Sequence, residues 1–332
     1  MEQRSLGRTG LRVSALGFGC GDVGGLIVKG TPAARERAVA RAVEAGINYF
    51  DTAASYGSGE SERNLGHTLK ALGVRPYVGT KFRLDPAERD LAGAIARSLE
   101  ASLQRLGMER VDLLQLHNLI VAPDGAPAPG RGLPARRVLD EVVPALAELR
   151  RQGKIGLAGI TALGDTAAVH TVLDAGVIDT AQVCLNILNP SAAVGVPAGF
   201  PAQDFGRLLD RARARGVGVI NIRVLAAGAL SGTLQRHALA MPSVAPIASG
   251  PDYTTDVDNA QRLRPLVDKG YAEDLVEASI RFSLTSDAVS TVLVGYSTFE
   301  HLEKAIGAVE RGPLPAAALE PLHGLWAGFG RP

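Results

Sequence analysis

The chain has 332 residues, 46% hydrophobic and 21% charged, a globular composition with ample material for a core. Its formal net charge is +1, and its lysines and arginines are scattered through helical stretches, so neither nucleic acid nor an anionic membrane surface is an expected partner. Cys20 and Cys184 lie far apart in no C-x-x-C arrangement, MEQRSLGRTG has no apolar leader and no run approaches 18 apolar residues; a reducing, cytoplasmic setting is expected.

The opening RSLGRTGLRVS reads as a small hairpin with its turn near Arg8 to Gly10. Eight apolar runs follow, each leading into a longer helical pattern. SALGFG precedes ARERAVARAVEAG, INYFD precedes ESERNLGHTLKAL, YVGTKF precedes ERDLAGAIARSLEASLQRLG, and VDLLQLH precedes RVLDEVVPALAELRRQG. IGLAGIT then leads to DTAAVHTVLDAG and AQVCLN to AQDFGRLLDRARARG. GVGVINI leads, after a long loop, to DLVEASIRFSLTS, and TVLVG to TFEHLEKAIGAVERG.

Strands separated by helical crossovers run parallel and are buried on both faces, hence the continuous apolar runs. Eight such units without a composition break predict one domain over 1–332, a closed (β/α)₈ TIM barrel with an N-terminal hairpin. Asp85, Pro86 and Glu88 predict an N-cap, an N1 proline and a capping-box acid, and Ser297 with Glu300 predicts a second box. Gly46, Gly107, Gly153, Gly176 and Gly216 fall where helices should stop. Long connections at 186–201 and 226–256 belong on the C-terminal face of the barrel, where active sites sit.

Gly19, Gly21 and Gly24 spell G-x-G-x-x-G, the fingerprint of a dinucleotide-binding βαβ fold. In that fold a helix opens at the third glycine. Here GLIVKGTP intervenes and helical pattern begins only after Pro32. The stretch is therefore expected to be a glycine-rich loop at the barrel rim near a ligand.

Four residues leave the ends of consecutive strands: Asp51 after INYF, Tyr56 five positions on, Lys81 after YVGT and His117 after VDLLQL. Adjacent strands lie ~4.8 Å apart, so the four fall in one patch. An ammonium beside a phenol favours its ionised form, a carboxylate keeps the ammonium charged, and an imidazole N–H can orient a carbonyl oxygen. Such a group protonates an oxygen as hydride reaches its carbon. No side chain donates hydride, so a nicotinamide cofactor is implied. The six histidines show no metal-binding spacing, and nucleophile-elbow and P-loop motifs are absent. The Pro/Gly-rich segment VAPDGAPAPGRGLPARR beside His117 reads as a surface loop or a substrate wall.

At these residues the sequence resembles the aldo-keto reductase family, whose Asp, Tyr, Lys and His tetrad sits on a (β/α)₈ barrel. RSLGRTGLRVSALGFG, GINYFDTAASYGSGESERNLG, VGTKF, LLQLHN, QGKIGLAGIT, AQV and LVGYSTFEHLEKA follow family order along essentially the whole chain. The resemblance implies Tyr56 as general acid/base, Lys81 and Asp51 as its tuning pair, and His117 as substrate positioner. It implies a cofactor-binding set of Gly19, Thr161, Gln182, Ile222, Gly295, Ser297, Thr298 and His301, NAD or NADP as cofactor, and a small carbonyl compound or sugar as substrate. The GIT segment is similar to the aldose 1-dehydrogenase branch.

Several positions depart from the family. Thr161 and Ala162 stand where Ser-Asn is common, and Ile222 where an aromatic often stacks on nicotinamide. His301, Lys304 and Ala305 replace Gln, Glu and Asn, and no Lys or Arg lies between Gly295 and Leu302 to clamp a 2′-phosphate. Dual or NAD-leaning use is expected. Two other readings share the residues: an aldolase with Lys81 as Schiff-base nucleophile, and a nicotinamide-binding regulatory subunit with vestigial chemistry.

Overall fold

Parallel strands with helical crossovers leave two unpaired edges unless the sheet closes on itself. The computed structural model describes residues 1–122 and 132–329. In it β1 (Leu16–Gly19), β2 (Tyr49–Asp51), β3 (Tyr77–Phe82), β4 (Val111–Leu116), β5 (Ile155–Thr161), β6 (Thr180–Cys184), β7 (Gly218–Ile222) and β8 (Val289–Gly295) form a closed barrel in chain order. Every neighbouring pair is parallel, and β8 pairs with β1 to complete the ring. Closure rules out the open doubly wound sheet that the glycine fingerprint requires.

The helices on the outer ring are α1 (Pro32–Glu44), α2 (Glu60–Leu72), α3 (Leu91–Leu106), α4 (Val143–Arg151), α5 (Thr166–Asp174), α6 (Leu208–Ala214), α7 (Leu275–Ser283) and α8 (Phe299–Glu310). Their boundaries follow local chemistry. Thr31, with Pro32 at N1, accepts from the Ala34 amide, and Asp165 and Asp274 cap α5 and α7 in the same way. The five glycines expected after helices all have positive φ, as a left-handed terminus requires.

Two caps differ from expectation. Helix α3 is capped by Asp90, whose carboxylate accepts from the Gly93 amide, while Asp85 caps a separate turn by accepting from the Ala87 amide. The nearer acid wins because Asp85, Pro86 and Glu88 are consumed by that turn. Helix α8 is capped by Thr298, which accepts from the His301 amide. The Ser297 hydroxyl is instead buried and donates to Gly24 O at 2.6 Å.

Other differences are additions. A four-residue helix, Leu26–Lys29, follows the glycine-rich loop, and Tyr253–Gln261 and Pro265–Asp268 are helical ahead of α7. Helix α6 begins later than its pattern, because Phe205 and Gln203 are bonded to Ser191 and Asn189. The pattern RVLDEVVPALAELRRQG splits: Val138–Val142 is a π turn and α4 follows. Pro144 has no N–H for the carbonyl four residues earlier, so the ladder shifts there. In the Pro/Gly-rich segment, Leu119–Val121 pairs with Gly132–Pro134, and residues 123–131 lie outside the described residues.

Inward-facing positions alternate along each strand, and bulk on one is matched by space on the next. A Cβ on Gly79 would lie 2.5 Å from Tyr49 Oη, so the inward Tyr49 fits only because Gly79 lacks one. At the N-terminal mouth the hairpin of Gln3–Ser5 and Arg12–Ser14 closes the barrel. Leu6 and Val13 pack on Tyr49, Leu113 and Ile220, and Arg8 ties the hairpin to the Arg215 and Gly176 carbonyls at 2.8 and 2.7 Å.

Candidate active site

At the opposite mouth the register sets the sequence-named Gly19 opposite both Gly295 and Asp51 and Thr161 opposite Gln182, and it brings Lys81 opposite Gln115. Tyr56 arrives from the loop after β2, on a tight turn in which Gly57 and Ser58 are left-handed, φ 56° and 54°. Gly21 runs alongside it. A Cβ there would lie 3.4 Å from the Tyr56 ring, so the glycine-rich loop forms one wall of this patch.

The Lys81 ammonium is buried and has three hydrogens. Its nitrogen forms an ion pair with Asp51 Oδ1 and donates to Thr52 O at 2.8 Å and to Tyr56 Oη at 3.2 Å. Three donors thus meet three acceptors. Because the phenol oxygen accepts from the ammonium, its own proton is left to point elsewhere. Burial, the largest single influence, works against the ammonium, but the charges and hydrogen bonds of Asp51 and Tyr56 together outweigh it, and the Lys81 pKa ends above its ordinary value.

Asp51 is held by a collar of donors across the barrel. Oδ2 accepts from Tyr49 Oη at 2.9 Å, Gln115 Nε2 at 3.2 Å and Gln182 Nε2 at 2.7 Å. A buried carboxylate needs such partners to stay ionised. Burial, and then the Asp51 charge, push the Tyr49 phenol well above the usual tyrosine range, so it is a fixed donor. The sequence reading missed Tyr49 and Gln115. The available signal was a glutamine inside the apolar run VDLLQL and a tyrosine two positions before Asp51, both on the inward parity.

His117 follows β4, its amide donating to Phe82 O at 2.8 Å. Its ring meets the Tyr56 ring edge-on, centroids 5.8 Å apart. Burial, followed by the Lys81 and Arg83 charges, lowers its pKa to about 2, so the imidazole is neutral at any physiological pH. Its Nδ1 is buried without a partner among the described residues.

The other named residues form two further groups. Thr161 joins the tetrad through Gln182, and its Oγ1 is also a buried orphan. An orphaned hydroxyl beside an amide side chain could hold a carboxamide. Ile222 ends β7, half-buried, opposite Cys184 in register. Gly295, Ser297, Thr298 and His301 belong to the turn from β8 into α8, which is joined to the glycine-rich loop by the Ser297–Gly24 bond and by Leu26 N donating to Tyr296 O at 3.0 Å. The twelve-residue α8 turns its N-terminus to this seam, an arrangement suited to a phosphate. These residues could hold a nicotinamide dinucleotide, Thr161 and Gln182 at its carboxamide and the start of α8 at its phosphate. Cys20 and Cys184 are buried, with burial raising both thiols, Cys184 to about 12.

A family model described as the Aldo/keto reductase family matches residues 15–327. The chain is similar to the L-galactose dehydrogenase of Arabidopsis thaliana, 30% identical over 318 residues that cover 93% of this chain and 88% of the relative. It is 27% identical to the pyridoxal 4-dehydrogenase of Microbacterium luteolum, over 92% of each chain. It is 30% identical to a D-threo-aldose 1-dehydrogenase from a Pseudomonas species, over 50% of this chain and 55% of that one. An aldo-keto reductase of Bacillus halodurans, solved in its holo form, superposes with a TM-score of 0.73 over 98% of this chain and 96% of that one. At 24% identity that likeness speaks for the fold alone.

Proposed function

The chain belongs to the aldo/keto reductase family, an oxidoreductase family, and from that premise we propose that it interconverts an aldehyde, ketone or sugar with the corresponding alcohol or lactone, with Tyr56 as general acid/base. The observation that carries this reading is the Lys81 ammonium, which spends its three hydrogens on Asp51, Thr52 and Tyr56. A nicotinamide dinucleotide, when bound, supplies or takes up the hydride at the substrate carbon. The chain's residues handle the oxygen. In reduction Tyr56 gives its proton to the carbonyl oxygen as charge develops there, and the adjacent ammonium stabilises the phenolate left behind. Neutral His117 offers its N–H to the same oxygen. Solvent then reprotonates Tyr56, and the oxidative direction runs the steps in reverse.

The same geometry weighs against a Schiff-base role for Lys81. A nucleophilic amine needs a free lone pair and a lowered pKa, whereas this nitrogen is charged and fully engaged. For the cofactor we propose NAD or dual use. Of the cations beside α8, Lys304 pairs with Asp274, and Arg37 stacks on the Phe299 ring at 3.8 Å. The names of the similar dehydrogenases point to aldoses and aromatic aldehydes as first substrates to try.

The test is a panel of aldoses, aldehydes and ketones followed at the nicotinamide absorbance with NAD and NADP, in wild type and Tyr56→Phe. Turnover of at least one carbonyl or sugar is expected. It should fall by about 10²–10⁴ or more in the variant, with dinucleotide binding by fluorescence titration nearly unchanged. Wild-type-like activity in Tyr56→Phe rejects the role, and a strong NADP preference rejects the cofactor lean.

A further inference from the structure

One residue past the end of β7 the backbone turns sharply. Arg223, Ala226 and Ala227 have left-handed conformations, φ 59°, 45° and 59°. Side-chain-bearing residues avoid this region, and clusters of them persist where surrounding structure enforces a functional geometry. The Arg223 carbonyl is fixed by Asn186 Nδ2 at 2.9 Å and the Ala226 amide at 2.8 Å. The side chain is therefore aimed by a braced backbone.

The guanidinium it aims is unusually idle. Arg223 is half-buried, yet among the described residues it makes one hydrogen bond, Nη1 to Ala245 O at 3.3 Å, and no ion pair. Comparable arginines are saturated: Arg281 bonds Glu277 and three carbonyls, and Arg137 bonds Glu141 and two. The acid that bears on Arg223, Asp256, is occupied by the Ser249 hydroxyl and the Gly250 amide, each at 2.6 Å. Burial is the main force on the guanidinium and lowers its pKa. Arg223 directly follows the C-terminal end of β7, at the same mouth of the barrel as Tyr56, Lys81 and His117. A guanidinium cannot shed its proton to escape burial, and its planar fork matches a paired oxyanion.

We propose that Arg223 is a specificity-determining residue that binds a carboxylate on the substrate, so that the preferred substrates are carbonyl compounds or aldoses bearing an acid group. The inference rests on the proposed oxidoreductase reading. With the carboxylate held on Arg223 and the carbonyl oxygen on Tyr56 and His117, the substrate is fixed at two points across the mouth, between β7 and the loop after β2. The proton and hydride balance is unchanged, since Arg223 neither gives nor takes a proton. The same fork would suit the diphosphate of a dinucleotide, and the experiment separates the two sources.

Matched pairs differing in the acid group are compared, galacturonate with galactose and succinic semialdehyde with butanal, in wild type, Arg223→Gln and Arg223→Lys. Dinucleotide dissociation constants are measured by fluorescence titration for each protein. In wild type the acidic member of a pair is the better substrate. In Arg223→Gln the acidic-to-neutral ratio of kcat/KM should fall about ten- to a hundredfold, mostly through KM, the scale of a lost charge-assisted hydrogen bond. Arg223→Lys, which keeps the charge and guards against misfolding of the first variant, should recover part of the ratio. A ratio that does not change in the Gln variant overturns the proposal. So does a loss confined to dinucleotide binding, which would assign Arg223 to the cofactor's diphosphate. Failure of wild type to turn over any member of the pairs, or of the wider panel, would instead count against the oxidoreductase reading.

Discussion

The two mouths of the barrel are built from the same eight strands and are opposites in chemistry. The N-terminal mouth is apolar and finished: Leu6 and Val13 fill it, and Arg8 is satisfied by backbone carbonyls. The C-terminal mouth holds a buried ion pair, orphaned polar atoms on Gln115, His117 and Thr161, and left-handed backbone at Ser58, Arg223, Ala226 and Ala227. Several features that cost stability are gathered at this end. Burial at the first mouth holds the barrel together, and the second spends part of that stability on fixed charges and donors.

Substitutions at the two ends should therefore separate activity from stability. The largest combined effect is expected for Lys81→Met, which strands the Asp51 carboxylate. Stability should fall by about 3–5 kcal/mol in denaturant titration and kcat by at least about a hundredfold. Adding Asp51→Leu should restore stability but not kcat; recovery of both would undo the contrast. At the other mouth Leu6→Ala should lower stability by about 2–5 kcal/mol with kcat/KM essentially wild type, and an equal loss of activity would show that the ends are coupled.

Gln115→Leu removes one of three donors from Asp51 Oδ2. A drop in kcat of about tenfold is expected, with a shifted pH–rate profile and little change in KM, on the scale of about 1.5 kcal/mol for a hydrogen bond to a charged group. An unchanged pH profile would reduce Gln115 to packing. A further effect, on stability rather than turnover, comes with acidification. His117 has a folded pKa near 2 and an ordinary unfolded one of ~6.5, so between those values the unfolded chain binds the extra proton and stability rises with pH. Wild type should lose stability on acidification from pH 6.5 to 4 more steeply than His117→Gln. Parallel curves would mean that the imidazole is not held neutral.

How much of the site was legible depends on the kind of signal each residue leaves. Asp51, Lys81 and His117 stand out because each is a polar residue closing an apolar strand, and the lattice of a parallel barrel puts such positions together. Gln182 could be named only by resemblance, and its bond to Asp51, across 131 positions of sequence, exists because the sheet closes. Thr298 rather than Ser297 caps α8 because Gly24, brought there by β1, claims the serine hydroxyl. Arg223 carries no periodic or spacing signal; its interest comes from what fails to surround it.

The sequence alone determined the eight strand-helix units, the hairpin ahead of them and the end of the barrel at which chemistry would gather, because hydrophobic period and turn residues are local properties. Only the tertiary structure decided how the Lys81 ammonium divides its three hydrogens, which donors hold Asp51, and that Arg223 makes a single hydrogen bond among the described residues. Those facts depend on distances between residues remote in sequence, and closing the ring of strands is what sets such distances.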